Sequence, residues 1–373
     1  MNARKVLVVG NATIDAYLKS VSYQIKDNTA HLKDENSGIE TKIECVEELR
    51  SGGKHFAKQH LYFALQGFSY EERFGGGGVN SVRELSAIVN WDISYLDMST
   101  PSLDTSKPGR TLAGYLAKLG ITPIFLSTRP IPLNLVLGTR HDKIVLKSPL
   151  LQQVELWEKQ SDLQSLLSFI VHGLGYNAIL FNSVKDVSLA EYIVSSIADK
   201  MAVITRSLPP DFVIDRVLPF CLCQFNYDEF GYILYNRVIG DENDRFQAAV
   251  EGLDQLRLMR RLQLPVVVTL GKNGALIATK RETYHIRLQE DKLDQVQNYL
   301  KGRTSQLTGA GDAFAAHSFR AWLLNANSVD IAIAGNIGAV KFLGYKALNK
   351  DDFVIAEIGV RKPKLYLPLE KVF

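Results

Sequence analysis

Short apolar runs alternate with longer amphipathic segments along most of the chain, and this alternation is the clearest pattern in the sequence. The short runs have the length of β-strands and lie at Val6–Gly10, Ile121–Leu126, Ala178–Phe181, Ala202–Thr205, Phe220–Phe225, Val266–Leu270 and Ala275–Ala278. The amphipathic segments have helical spacing and lie at Leu112–Leu119, Leu163–Leu174, Leu189–Ala198 and Phe246–Leu262. Strands that alternate with helices predict an α/β protein with a mostly parallel, Rossmann-like sheet and helices on both faces, a three-layer α/β/α arrangement.

The segment 16–74 interrupts this pattern, because it is polar, rich in Lys and Glu, and lacks βαβ spacing. Alternation between Tyr17 and Ile25, and between Lys42 and Val46, predicts antiparallel strands with one face in solvent. A second piece of this kind lies within 135–147. We expect the two pieces to form a small β lid on a main domain made of residues 1–15 and 75–373. The alternative is a surface insertion without a role.

Composition restricts the classes of partner. The chain has 373 residues, of which 46% are hydrophobic and 22% charged, as in an ordinary soluble protein with a large core. A net charge of +3, without a dense Lys/Arg face, argues against nucleic acid as a partner. No apolar run approaches the roughly 20 residues of a membrane span. Three cysteines (Cys45, Cys221 and Cys223) suit neither a disulfide set nor a zinc site, so we expect a cytoplasmic protein.

The loop from Leu307 to Phe314 carries the most specific chemistry. Gly309 and Gly311 allow a tight turn, and the residues after Asp312 have a helical pattern, so backbone N–H groups meet at a helix N-terminus. Such a terminus binds anions, phosphate included. A carboxylate beside a phosphate site is unfavourable unless it has a task. General-base catalysis on a substrate hydroxyl is the candidate task for Asp312.

Two clusters near the N-terminus supply candidate substrate contacts. The turn after the first strand contains Asn11 and ends in Asp15, which can accept hydrogen bonds from a polyol; alone, such an acid is more often a turn or cap residue. The glycine run 75–78 lets the backbone approach a ligand closely and is followed by Asn80. A flexible linker is the alternative for that run, but it leads directly into an amphipathic helix.

Two further clusters follow apolar strands in the second half of the chain. Asn226 and Glu229 are three residues apart, so on a first helical turn they face the same way and can organise hydrated Mg²⁺. A helix-capping pair explains them equally well. The strand Val266–Leu270 ends in a turn with Gly271 and Gly274, which alone is only a β-turn.

Taken together and in this order, the clusters resemble the ribokinase-like, or PfkB, family of carbohydrate and nucleoside kinases. The resemblance covers nearly the whole chain and extends to Ala334–Ala339, which is similar to the nucleotide-side helix of the family. It implies an ATP- and Mg²⁺-dependent kinase that phosphorylates a hydroxyl of a sugar or nucleoside. The alternatives are a sugar-phosphate kinase, or a catalytically lapsed homologue that binds nucleotide or sugar as a regulator.

The resemblance also implies roles for individual residues. Asp312 would be the general base, with the N–H groups of Gly309, Ala310 and Gly311 as the anion hole. The acceptor would be held by Asn11, Asp15, Gly76, Gly77 and Asn80. The nucleotide site would comprise Asn226, Glu229, Thr269, Gly271, Gly274, Thr308 and Asn336, with Glu229 reaching Mg²⁺ through water.

The chain departs from the family pattern in the late loop, in the glycine run and in the lid. Gln306 stands where the family usually has an acid, in a loop that helps form a monovalent-cation site in some members, so K⁺ dependence stays open. Gly77 stands where sugar kinases often carry a lysine. The long, atypical lid leaves the identity of the acceptor open, and its exposed strands are a candidate homodimer contact.

Overall fold

The structure is a computed structural model that describes residues 4–47, 54–58, 61–99, 111–129, 131–138, 143–147, 161–182, 202–206, 222–235, 242–258, 265–301 and 309–359. The expected helix Leu189–Ala198, and Gln306 and Thr308 of the late loop, lie outside these ranges.

Strands form the framework of the described part of the chain. They are β1 (Lys5–Gly10), β2 (Thr13–Leu18), β3 (Val21–Lys26), β4 (Thr29–Asp34), β5 (Glu40–Glu47), β6 (Lys54–Ala57), β7 (Tyr70–Gly75), β8 (Asp92–Ser99), β9 (Thr122–Arg129), β10 (Leu133–Gly138), β11 (Lys143–Lys147), β12 (Ala178–Asn182), β13 (Ala202–Arg206), β14 (Leu222–Asn226), β15 (Val266–Thr269), β16 (Ala275–Ala278), β17 (Thr283–Leu288) and β18 (Phe353–Ile358).

The helices of the same ranges are α1 (Leu61–Ala64), α2 (Gly77–Ile88), α3 (Leu112–Lys118), α4 (Ser161–Ser168), α5 (Tyr227–Tyr235), α6 (Glu242–Leu258), α7 (Glu290–Leu300), α8 (Ala310–Leu323) and α9 (Ser328–Phe342). A π turn follows α4 at Phe169–Gly173, and 3-10 turns lie at Gly271–Asn273 and Lys350–Asp352.

A ten-stranded sheet forms the centre of the molecule, in the order β18-β17-β16-β15-β14-β13-β12-β1-β8-β9. The strands from β15 to β9 in this order pair in parallel, and the pairs β15–β16, β16–β17 and β17–β18 are antiparallel. The mostly parallel α/β sheet expected from the sequence is therefore confirmed.

Alternate residues of the central strands are buried in two different cores, one on each face of the sheet. In β1, Val6 and Val8 pack with α2, α8 and α9, whereas Leu7 and Val9 pack with α4, α5 and α6. Because successive side chains of a strand point to opposite faces, this alternation places helices on both sides. The arrangement has the three expected layers.

A second, eight-stranded sheet has the order β3-β4-β5-β6-β11-β10-β2-β7 and is built from 13–75 and 133–147. It contains the strands expected in 16–74 and 135–147, but two of its pairs, β2–β10 and β6–β11, are parallel rather than antiparallel. Parallel pairing here joins strands that are far apart in sequence, so local alternation could not indicate it. The sheet also begins at Thr13, so Asp15 belongs to it and not to the main sheet.

Other elements differ from the expectations in detail. The strands β8, β17 and β18 were not predicted, and the expected helix Leu163–Leu174 ends as α4 at Ser168 before the π turn. In β8 the polar residues Ser94 and Asp97 are buried, so this strand does not have the apolar pattern of its neighbours. Within the described ranges, no helix combines the length and hydrophobicity that crossing a bilayer requires.

Helices α8 and α9 pack closely because glycine faces large side chains at their contact. A Cβ on Gly335 would lie 2.5 Å from the ring of Phe314, and one on Gly338 would lie 2.3 Å from the ring of His317. His317 is a packing residue in this contact. Burial lowers its pKa to about 4, and the charges of Lys341 and Arg320 act in the same direction.

We predict that His317 makes the stability of the protein depend on pH between its unfolded pKa of 6.5 and its folded pKa of about 4. The unfolded chain binds a proton that the folded chain does not, so the free energy of unfolding falls as the pH is lowered through this window. The loss attributable to His317 is up to roughly 3 kcal/mol. Urea titrations at pH 7 and pH 5 should show a smaller difference for His317→Gln than for wild type. His172→Gln, at an exposed side chain, is the control; equal differences for wild type and His317→Gln would contradict the prediction.

Candidate active site

Several residues of the candidate site lie at the carboxyl ends of the parallel strands. Gly10, Asn182, Asn226 and Thr269 are the last residues of β1, β12, β14 and β15. These four strands lie in the same parallel part of the sheet, so their ends share one edge. Ligands of open α/β sheets bind at this edge.

Helix α8 begins at this edge with a backbone conformation that requires glycine. Gly309, the N-cap residue, has φ 102°, and a Cβ there would lie 2.7 Å from the ring of Phe342. The helix starts with the N–H of Ala313 donating to the carbonyl of Gly309. The N–H groups of the first turn have no partner within a helix, which makes this turn suited to an anion.

Asp312 lies in this first turn, and its side chain is 6% exposed. Two amides contact its carboxylate: Nδ2 of Asn80 donates to Oδ2 at 2.8 Å, and Nδ2 of Asn182 lies 3.3 Å from Oδ1. Asn80 is in the first turn of α2, which the glycine run opens. The structure therefore brings the late loop and the glycine run together, although they are 232 residues apart.

Asn182 was not identified from the sequence. Its side chain is fully buried, and its Nδ2 also lies 3.0 Å from the carbonyl of Gly77 and 2.7 Å from Oγ of Ser81. The signal that could have found it is its place directly after the apolar run 178–181, where a polar residue follows a buried strand. Its contacts with α2 and α8 depend on the tertiary fold.

Charged residues of α2 continue this cluster toward α9. The guanidinium of Arg83 lies 5.3 Å from the ring centroid of Phe342, the ring that contacts Gly309. Burial raises the pKa of the neighbouring Glu84; Arg83 opposes this effect, and the negative charge of Asp312 adds to it.

The turn after β1 contacts the start of the glycine run through the backbone. A Cβ on Gly76, which has φ 92°, would lie 2.3 Å from the carbonyl oxygen of Asn11. The turn is held by Asp97, whose Oδ2 accepts from the N–H of Ala12 at 2.7 Å and from the hydroxyl of Tyr95 at 2.7 Å. Burial raises the pKa of Tyr95 well above its usual range, and the charge of Asp97 adds to this effect.

Asp15 lies beside this turn, on β2 of the second sheet, and is buried. Its Oδ1 accepts from the hydroxyl of Thr13 at 2.9 Å and from Nδ2 of Asn134 at 3.1 Å. Its Oδ2 lies so close to Gly75 that a Cβ there would be 2.2 Å away. The carboxylate therefore meets the beginning of the glycine run, as Asp312 meets the helix that follows it.

Asn226 and Glu229 form a reciprocal capping pair at the start of α5. The N–H of Glu229 donates to Oδ1 of Asn226, and the N–H of Asn226 donates to Oε2 of Glu229, both at 2.8 Å. The capping alternative considered for the sequence is thus present. Thr269 lies opposite Asn226 in the register of β14 and β15, and its hydroxyl donates to the carbonyl of Phe225 at 3.4 Å.

The other described residues that the sequence assigns to a nucleotide site lie in a turn and in a helix. Gly271 begins a 3-10 turn and Gly274 follows it, where a Cβ on Gly274 would lie 2.1 Å from the carbonyl of Ile286. Nε2–H of His285 donates to the carbonyl of Asn273 at 2.8 Å, and burial lowers the pKa of His285. The amide of Asn336 donates to the carbonyl of Ala332 within α9.

No known family model matches the sequence, and no curated protein sequence matches it either. Solved structures do. Adenosine kinase from Schistosoma mansoni in complex with 2-fluoroadenosine is 15% identical, with a TM-score of 0.61 over 94% of this chain and 99% of that one. Ribokinase from Thermotoga maritima is 16% identical, with a TM-score of 0.58 over 90% and 92%. Phosphofructokinase-2 from Escherichia coli is 14% identical, with a TM-score of 0.58 over 91% and 93%.

These similarities span nearly the full length of both partners in each pair, and the structures concerned are of kinases that differ in their acceptor. The chain has the ribokinase-like fold.

Proposed function

We propose that the chain transfers the γ-phosphate of ATP to a hydroxyl of a sugar or nucleoside. The observation that carries the proposal is the position of Asp312, a buried carboxylate in the first turn of α8, in contact with Asn80 of the glycine-run helix. A proton acceptor and an anion-binding helix start thus share one turn. The similar structures are those of an adenosine kinase, a ribokinase and a phosphofructokinase, which supports this reaction class.

Asp312 is the general base in this proposal. Phosphoryl transfer depends mainly on positioning and charge stabilisation, so the base has to hold the attacking oxygen and accept its proton as the new bond forms. The amides of Asn80 and Asn182 contact different oxygens of the carboxylate and therefore limit its rotation. The acceptor hydroxyl donates its hydrogen to this oriented group.

The N–H groups of Gly309, Ala310 and Gly311 form the anion hole. They belong to the start of α8, where the left-handed Gly309 turns the backbone and the helix dipole favours negative charge. Loss of one such donor typically lowers transition-state stabilisation by about 3 kcal/mol. The anion hole therefore stabilises negative charge on the transferred phosphoryl group, and Asp312 accepts the proton of the attacking hydroxyl.

The acceptor is held at the junction of the two sheets. Asp15 supplies hydrogen-bond acceptors, Asn80 supplies an amide, and the backbone of Gly76 and Gly77 with Asn11 lines the approach. This assignment is supported by two contacts, of Asp15 with Gly75 and of Asn11 with Gly76, which join the turn after β1 to the start of the glycine run. The second sheet would then act as a lid that excludes water when it moves toward the site.

The nucleotide is held by Thr269, Gly271, Gly274 and Asn336. Thr308, which lies outside the described residues, is assigned to the same site from the sequence. Asn182 and Asn226 end strands that are two apart in the sheet, or roughly 10 Å, a distance a triphosphate can bridge. Mg²⁺ neutralises phosphate charge when bound. One carboxylate suits an ion that keeps several waters, so the donor chemistry of Glu229 fits it. The cap leaves this carboxylate in a defined orientation.

The direct test is ATP turnover over sugars, nucleosides and their phosphates, with Asp312→Asn as the matched variant. We expect turnover on an unphosphorylated sugar or nucleoside and a kcat at least ~100-fold lower in the variant, because general-base catalysis contributes on this scale. The affinity for ATP should be nearly unchanged. A loss below tenfold would place the base elsewhere. Turnover only on phosphorylated sugars would favour a sugar-phosphate kinase, and binding without turnover would favour the lapsed homologue.

Glu229→Gln separates the capping role from the metal role. The amide oxygen of Gln can still accept from the N–H of Asn226, so we expect an unchanged melting temperature. The Mg²⁺ concentration needed for half-maximal rate should rise several-fold, because the variant lacks the negative charge. An unchanged Mg²⁺ titration would remove Glu229 from the metal site and leave it a helix cap only.

A further inference from the structure

We propose that Asn182 is a positioning residue that holds Asp312 and the start of the glycine-run helix in one alignment. The inference rests on the proposed function for its catalytic consequence. Its structural part, a link between α2, β12 and α8, stands on the geometry of Asn182 alone. Asn182 does not belong to any of the sequence motifs from which the function is proposed.

One amide group serves three acceptors. Nδ2 of Asn182 lies 2.7 Å from Oγ of Ser81, 3.0 Å from the carbonyl of Gly77 and 3.3 Å from Oδ1 of Asp312. An amide nitrogen carries two hydrogens, so the three acceptors share them. Ser81 completes the cluster by donating from its hydroxyl to the carbonyl of Asp312 at 3.4 Å. Asn182 therefore contacts both helices in their first turns.

The position of Asn182 makes this link rigid. It is the last residue of β12, with Gly10 of β1 and Arg206 of β13 opposite it in the sheet, and its side chain and that of Ser81 are fully buried. Buried polar groups that lose their partners are unfavourable, so the cluster resists opening. The sheet is the fixed frame, and the two helix starts are attached to it through one side chain.

The catalytic consequence follows from the two oxygens of Asp312. Asn80 contacts Oδ2 and Asn182 contacts Oδ1, so removal of Asn182 takes away the amide that orients Oδ1 and weakens the constraint on the rotation of the carboxylate. Misplacement of a catalytic group by about 1 Å can lower a rate by ~10²-fold. Loss of Asn182 therefore affects kcat, whereas the nucleotide contacts at the ends of β14 and β15 stay in place.

The first experiment compares Asn182→Leu with Gln224→Leu. Gln224 is a matched control because its side chain is also fully buried in the central sheet under α8, where Oε1 accepts from the hydroxyl of Ser318, outside the site. Both variants should lower the melting temperature. Only Asn182→Leu should lower kcat, by at least ~10-fold, with KM for ATP within about twofold of wild type. Equal kcat values for the two variants would overturn the proposal.

Asn182→Asp tests the donor itself without a change of shape. The introduced carboxyl lies beside Asp312, and two adjacent carboxylates do not ionise together readily. As the pH falls, the pair takes up one proton. When this proton lies on the introduced group, that group donates to Asp312 as the amide does, and Asp312 keeps the charge that it needs as a base. We expect kcat of this variant to rise as the pH is lowered from 8 toward 6, whereas kcat of wild type does not. A profile parallel to that of wild type would overturn the proposal, including when Asn182→Leu fails to fold.

Hydrogen exchange tests the link independently of turnover. In Asn182→Leu or Asn182→Asp at pH 8, the amides of Asn80 and Ala313, which donate to the carbonyls of Gly76 and Gly309 at the starts of α2 and α8, should exchange at least ~10-fold faster than in wild type. In Gln224→Leu their exchange should not change. Unchanged exchange of these amides in the Asn182 variants would overturn the link. Absence of turnover in wild type would overturn the proposed function instead, and with it the catalytic role, while exchange still decides the structural one.

Discussion

The contact between the Asp312 carboxylate and the amides of Asn80 and Asn182 is the constraint on which the site depends. A carboxylate that is 6% exposed needs hydrogen-bond donors, and here the donors come from a helix and a strand distant in sequence. Both hydrogen bonds to the carboxylate can form only if α2 and α8 begin close together, next to the end of β12. The turn at Gly309 and the glycine run are consequently neighbours.

Glycine is needed here because backbones, not side chains, are in contact. A Cβ on Gly10 would lie 2.3 Å from the carbonyl of Asn182 and 2.7 Å from Cα of Gly78. The ends of β1 and β12 and the start of α2 therefore meet so closely that one added methyl group on Gly10 would separate them. The glycine run 75–78 is therefore a steric requirement of the fold, and the same close approach of backbones is the reason for proposing that a ligand contacts it.

The sequence indicated those features that local patterns determine. Apolar runs predicted β1, β12, β15 and β16, because these strands are buried on both faces. Strand β8 was missed because Ser94 and Asp97 are buried polar residues, satisfied by partners elsewhere in the chain. The motif residues were found because each motif is a local pattern in the sequence. Asn182 was not found, because its partners Gly77 and Asp312 are 105 and 130 residues away. Parallel pairing in the second sheet is equally non-local.

The placement of Asp15 on the second sheet means that the two carboxylates of the candidate site, Asp15 and Asp312, are held by different sheets. The chain passes from the main sheet to the second between Gly10 and Thr13, and returns between Gly75 and Gly77. These two passages touch at Asn11 and Gly76. Asp15 is carried by one sheet and Asp312 by a helix on the other, so any displacement of the second sheet changes the distance between the two carboxylates. In the proposed reaction, alignment of the acceptor with Asp312 is therefore coupled to the position of the second sheet through the backbone contact at Gly76.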